Sequence, residues 1–144
     1  TRDGLSLIAV IMKAPSSAVR FTEASKLLDY GFSTYTYKQF ANAGDVLKTV
    51  EINKGVDSSL NLVYEENAGT LIKKGEDKNI EEILTIENNI SAPISKGQRL
   101  GQISYNLNGS TISSVNLVAQ NDIKKIGVLS FSEKVLLTWL RLSR

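Results

Sequence analysis

From Leu5 to Met12 nearly every position is apolar, with no polar alternation. A short run of this kind reads as a strand covered on both faces. Just ahead of it, Arg2-Asp3-Gly4 reads as a tight hairpin turn, Asp-Gly supplying the left-handed backbone that such turns need. A hairpin has two strands, so the expected partner of Leu5–Met12 lies ahead of Thr1. Without it the strand would offer an open edge and an apolar face, a template for strand exchange or homo-oligomerisation. Ala14-Pro15-Ser16-Ser17 ends the run, and either serine can cap a helix. From Ala18 the spacing is helical, with Phe21, Ala24 and Leu28 on one side and Leu27 and Tyr30 beside it. Gly31 costs such a helix about 1 kcal/mol relative to Ala, which a close packing contact would explain. The aromatic positions Phe32, Tyr35, Tyr37 and Phe40 follow.

Asn42-Ala43-Gly44-Asp45 is a turn cluster and the expected domain boundary. Beyond it the period changes to that of strands. Val46, Val50 and Ile52 share a face. Leu60, Leu62 and Tyr64 alternate with Asn61, Val63 and Glu65. Leu71-Ile72 precedes a charged turn, Lys73 to Lys78. Leu84 and Ile86 alternate before Pro93. Ile103, Tyr105 and Leu107 alternate with Gln102, Ser104 and Asn106, and Asn108-Gly109 is a strong hairpin signal. A bulge near Ser113-Ser114 would bring Ile112 onto the parity of Val115, Leu117 and Ala119. Five or six short strands at this spacing predict a small all-β sandwich or barrel. The end returns to helix. At about 100° per residue, Val128, Leu129, Phe131, Val135, Leu136, Trp139, Leu140 and Leu142 fall on one arc. Ser130, Glu133, Lys134, Thr138 and Arg141 fall on the other, Leu137 being the exception.

The 144 residues suffice for one core, or a core with a smaller annex. A formal charge of +2, with no basic stripe interleaved with aromatics, gives no reason to expect nucleic acid. Neither Cys nor His is present, which removes disulfides, thiolate metal sites and the usual general base. Catalysis would have to run on Ser, Lys, Tyr or carboxylates. No cofactor or metal site is indicated.

Several blocks together resemble the C-terminal part of bacterial serine-type D-alanyl-D-alanine carboxypeptidases, the low-molecular-mass penicillin-binding proteins. "TRDGLSLIAVIMKAPSSAVRFTEASKLLDYGF" is similar to the last strands and final helix of their transpeptidase-like domain. "NAGDVLKTVEINKG" resembles the first strand of their second, β-rich domain, and "ISAPISKGQRLGQISYNLNG" its Lys-Gly-Gln and Leu-Asn-Gly segments. The closing helix resembles their membrane-surface anchor.

The resemblance implies an α+β fragment. Residues 1–42 would be the tail of the catalytic domain, 43–122 a β-sandwich and 123–144 an amphipathic anchor. It implies a parent that binds peptidoglycan peptides and β-lactams at the extracytoplasmic face of the membrane. The family's catalytic groups are a Ser with Lys three residues on, a Ser-x-Asn and a Lys-Thr-Gly. No Ser here is followed three residues later by Lys. Thr70 to Lys73 has the spacing with the wrong nucleophile, and Lys48-Thr49-Val50 lacks the Gly. Ser59-Leu60-Asn61 and Ser114-Val115-Asn116 lie in the β-rich region, away from the family's position for that motif. No residue is therefore assigned to catalysis. In the closing helix, Phe131, Val135, Leu136, Trp139 and Leu140 would enter the headgroup boundary, with Arg141 facing anionic lipid. The segment would span roughly 25 Å, too short to cross a bilayer. The same periodicity would also suit a helix packed on the sandwich or on a second chain. A stand-alone envelope β-domain that binds other proteins is the competing class.

Overall fold

The computed structural model describes residues 1–127. The turn at the start is as the sequence indicates. Arg2 and Leu5 exchange two backbone hydrogen bonds of 2.9 Å, and Asp3 and Gly4 both hold positive φ, 48° and 79°. Both central residues left-handed is the type I′ geometry that Asp-Gly favours.

The expected strand over Leu5–Met12 does not form among the described residues. Beyond the Arg2–Leu5 bridge the segment is extended but carries no ladder. Its two parities differ. Leu5 is buried and Leu7, Ala9 and Ile11 are half-buried, whereas Ile8, Val10 and Met12 are 92%, 74% and 85% exposed. One apolar face is thus open in this chain, the outcome expected of the segment without a partner strand. Only the face toward the following helix is covered.

That helix, α1, spans Ser17–Thr34. It starts there because Ser16, in extended backbone, accepts a hydrogen bond from the Val19 amide through its hydroxyl. Removing that acceptor in Ser16→Ala is expected to cost about 1 kcal/mol. Earlier melting of the 222-nm helical signal would read it. Gly31 answers to a neighbour. A Cβ there would lie 2.5 Å from Leu7 Cδ1, so the extended segment can cross the helix closely only at a glycine.

Seven strands follow among the described residues: β1 (Tyr35–Ala41), β2 (Val46–Glu51), β3 (Ser59–Tyr64), β4 (Ala68–Lys73), β5 (Ile80–Ile86), β6 (Arg99–Leu107) and β7 (Ser110–Ala119). A 3₁₀ turn, Glu76–Asn79, precedes β5. β1 and β4 form an antiparallel pair, and the other five form a sheet in the order β2-β3-β7-β6-β5. The aromatic positions after α1 thus begin the β structure, since Tyr35, Tyr37 and Phe40 belong to β1. Asn42–Asp45 is a turn, closed by the Asn42 amide donating to Asp45 Oδ2 at 2.8 Å. Asn108 and Gly109 take φ of 52° and 79° and join β6 to β7.

The described residues divide into two units. The first holds 1–41, 67–83 and 104–114. There Ala68, Ile72 and Tyr105 are buried, and Tyr105 stacks on Phe40 with ring centroids 3.9 Å apart and planes 10° from parallel. The second unit holds 42–66, 84–103 and the residues from 115 on. Its core is aliphatic, with Leu60, Leu62, Leu100, Ile103, Val115 and Leu117 at most 4% exposed. A polar ladder crosses three of its segments. The Thr49 hydroxyl donates to Asn61 Oδ1 at 2.7 Å, and Asn61 Nδ2 donates to Gln120 Oε1 at 3.0 Å.

The expected C-terminal helix lies outside the described residues.

Candidate functional site

The triplets that look like pieces of a catalytic motif do not converge. Lys48 and Thr49 lie on β2, Ser59 and Asn61 on β3, Thr70 and Lys73 on β4, Ser114 and Asn116 on β7. Several of these side chains serve the sheet instead. Thr49 and Asn61 bond each other, the hydroxyls of Ser104 and Ser114 are 3.1 Å apart, and Asn116 Nδ2 donates to Glu65 Oε2 at 2.7 Å. Thr49 and Ser114 thus meet an amide oxygen and another hydroxyl, neither of which is the base that a nucleophilic hydroxyl needs. Among the described residues no group of three or more acidic side chains is placed to hold a metal ion.

The most exposed apolar surface among the described residues belongs to the first 34. Ile8, Val10 and Met12 project from one parity of the extended segment. α1 contains no buried residue at all, and Phe21 and Tyr30 on it are 71% and 60% exposed. An amphipathic helix normally covers one stripe against a core. Here the helix meets the extended segment closely at Gly31, against Leu7. Covering each large aliphatic side chain stabilises by about 1.5–3 kcal/mol, so the three in a row carry a strong drive toward a partner. Sequence reasoning found this segment by its apolarity. It also expected an open apolar face in the absence of the partner strand, and Ile8, Val10 and Met12 form one; which parity it would be is not written in a run apolar at nearly every position.

Next to this surface the initial turn closes over the end of α1. The Arg2 guanidinium lies 4.8 Å from the centre of the Phe32 ring and 3.5 Å from Asp29. A cation there is favoured by the ring face and by the carbonyl end of the helix. Arg2, Phe32, Tyr35 and Lys74 line a cavity of about 260 Å³ at this point.

The residues named for membrane contact, Phe131, Val135, Leu136, Trp139, Leu140 and Arg141, lie outside the described residues. Among the described residues no helix is long and apolar enough to cross a membrane.

The family described as penicillin-binding protein 5, C-terminal domain, matches residues 35–125, from the first residue of β1 to just past the last strand. The chain is 30% identical over 141 residues to D-alanyl-D-alanine carboxypeptidase DacF of Bacillus subtilis, covering 97% of this chain and 36% of that protein. It is also 30% identical over 129 residues to D-alanyl-D-alanine carboxypeptidase DacA of Haemophilus influenzae, with 89% and 33% covered. Among solved structures it is similar to penicillin binding protein 5 from Haemophilus influenzae, with a TM-score of 0.67, 28% identity, and 77% of this chain and 33% of that one covered. The D-alanyl-D-alanine carboxypeptidase DacD of Francisella tularensis superposes with a TM-score of 0.52 at 25% identity, covering 78% of this chain and 29% of that one. The chain spans about a third of the length of the curated relatives it matches. The mostly β fold and the match across all seven strands lead to one conclusion: this chain belongs to the C-terminal domain family of penicillin-binding protein 5, found in D-alanyl-D-alanine carboxypeptidases.

Proposed function

We propose that this chain is the C-terminal portion of a D-alanyl-D-alanine carboxypeptidase acting on peptidoglycan stem peptides, and that it serves as pedestal and membrane attachment. The observation that carries this reading is the open apolar parity of residues 8–12, in a chain that spans 36% of DacF. An extended segment and a helix with no core of their own fit the tail of a catalytic domain whose remainder lies upstream. In that remainder a Ser, its proton taken by a nearby Lys, attacks the carbonyl of the penultimate D-Ala. The peptide bond breaks, the terminal D-Ala leaves with the proton, and water then releases the acyl group. This chain supplies none of those groups. Its part is to hold the catalytic portion off the extracytoplasmic face of the membrane. Phe131, Val135, Leu136, Trp139 and Leu140 enter the headgroup boundary there, and Arg141 meets anionic lipid.

Two measurements test the reading. A polypeptide extended upstream through its Ser-x-x-Lys and Lys-Thr-Gly segments takes up fluorescent penicillin covalently, and the 144-residue chain takes up none. Labelling of the short chain, or a reading frame lacking both motifs, overturns the catalytic half. In flotation with vesicles containing anionic lipid, the chain rises with the lipid and a version ending at Gly127 stays below. Equal recovery of the two in the soluble fraction removes the anchor.

A further inference from the structure

β2 is an edge strand, and its hydrogen bonding shows which of its backbone groups are free. Antiparallel neighbours alternate between pairs that exchange hydrogen bonds and pairs that do not. The Ile52 amide donates to the Ser58 carbonyl at 2.9 Å. By alternation Val50 with Leu60 and Lys48 with Leu62 are then the bonded pairs of the ladder. Thr49, Glu51 and Asn53 therefore turn their N–H and C=O groups away from β3. Those of Asn53 are taken. Its amide donates to the Ile90 carbonyl and its carbonyl accepts from the Ala92 amide, both at 2.9 Å, in parallel register with Ser91. The chain itself thus begins a strand against the outer edge of β2, and pairs one residue of it. Asn89, with φ of 58°, turns the backbone aside before it reaches Glu51. The outward groups of Thr49 and Glu51, two donors and two acceptors, have no protein partner among the described residues.

Along this edge, β2 and residues 86–90 border a cavity of about 330 Å³. Val50 and Ile86 in its lining are half-buried and Ile90 is buried. A row of alternating amide donors and carbonyl acceptors is matched by an extended polypeptide backbone, the principle of strand addition. Side chains of an added strand alternate as those of β2 do. Those level with Val50 fall on the face where Ile52 is buried, and apolar groups suit them. Those level with Glu51 fall on the other face. Glu51 and Glu87 outnumber Lys48 in the lining, so basic groups suit the second set. A second copy of β2 fits poorly. Running on past Glu51, it would meet residues 90–92, already seated beside Asn53. The free stretch is at most the six residues of β2, about 20 Å, so the occupant is a short segment that ends or turns beside Asn53.

We infer that the open edge of β2 takes up, as an added strand, a short extended peptide of alternating apolar and basic residues. This goes beyond the pedestal reading and does not depend on a catalytic portion upstream. The probe is fluorescein-labelled Val-Lys-Val-Lys-Val-amide, mixed with the full 144-residue chain. Its anisotropy should rise with protein concentration and fall back when unlabelled peptide is added. Residue-resolved amide exchange should slow several-fold at Thr49 and Glu51, the amides left outward, when peptide is present. The same peptide N-methylated at every residue keeps its side chains but loses its donors, and should bind about tenfold more weakly. Val-Glu-Val-Glu-Val-amide should also bind more weakly. Glu51→Gln should weaken binding of the lysine peptide several-fold and flatten its salt dependence. Glu51→Pro also removes the outward N–H while leaving the bonds to β3, and should weaken binding further than Glu51→Gln. No anisotropy change up to about 1 mM protein, the weak end of measurable affinity, overturns the inference. Equal binding of the N-methylated peptide, or slowed exchange confined to other segments, does the same. Slowed exchange at Thr49 and Glu51 that grows with protein concentration in the absence of peptide gives the edge to a second copy, and overturns it too. Should Glu51→Pro melt below the working temperature, the N-methylated peptide decides in its place.

Discussion

Tyr105→Ala is expected to lower the free energy of unfolding by about 3–5 kcal/mol, a large share of what a domain of this size possesses. Tyr105 is 1% exposed and its ring lies 3.9 Å from that of Phe40, almost parallel. Truncation removes the largest fully buried side chain and leaves a void beside an aromatic partner that has lost its stack. The first unit has few buried side chains to relax into that space: Leu5, Ala41, Ala68 and Ile72 are the others. Two small residues among four cannot close a phenol-sized hole. Tyr105→Phe keeps the stack and should cost far less, so the ratio of the two losses separates ring packing from everything else. Urea unfolding followed by circular dichroism reads both. A loss under about 1 kcal/mol for Tyr105→Ala would mean that the cavity collapses or that the stack contributes little.

The second large effect concerns self-association. With no upstream polypeptide to cover Ile8, Val10 and Met12, the purified chain should associate with itself at micromolar concentration, through apolar contact or strand pairing along the extended segment. Replacing all three with Lys should weaken that association by at least about a thousandfold, since each side chain contributes on the order of 1.5–3 kcal/mol and each 1.4 kcal/mol is a factor of ten. A chain beginning at Tyr35 should sediment as a monomer, because it lacks the surface altogether. Monomeric sedimentation of the unaltered chain at several hundred micromolar would refute the idea. On the proposed reading, a polypeptide extended upstream covers these side chains, and there the same three substitutions should instead lower thermal stability.

The residues that announced themselves in the sequence are those whose requirements are local. Asp3-Gly4 and Asn108-Gly109 are turns because left-handed backbone is inexpensive only for a few residue types, and no distant contact is needed to specify it. Ser16 marks the helix start for the same reason, its hydroxyl reaching an amide three residues on. The alternation in β6 is equally direct: Ile103 and Tyr105 are buried and Gln102 and Ser104 are not. Legibility fails where a partner is distant. Tyr35 to Phe40 read as an aromatic tail because the strand they form is completed by β4, some thirty residues later. Leu5–Met12 read as a ladder-forming strand, and the ladder is missing because its pairing partner is not among the described residues. The seat of the Tyr37 side chain against Gly69 was invisible for a third reason. Its geometry depends on Gly69 lying diagonally across the pair, and cross-strand register is not written in either strand alone.

The Thr49–Asn61–Gln120 ladder has a consequence for how the β2–β3 hairpin tolerates change. Side chains in a strand alternate between faces, so inserting or deleting one residue ahead of Asn61 would swing its amide to the side now held by Leu60 and Leu62. There it would find neither hydroxyl nor amide. The ladder thus works as a reading frame: point changes on its outer face pass with little penalty, while a single-residue frameshift within the strand meets an error check that aliphatic contacts alone, indifferent to sliding, could not impose.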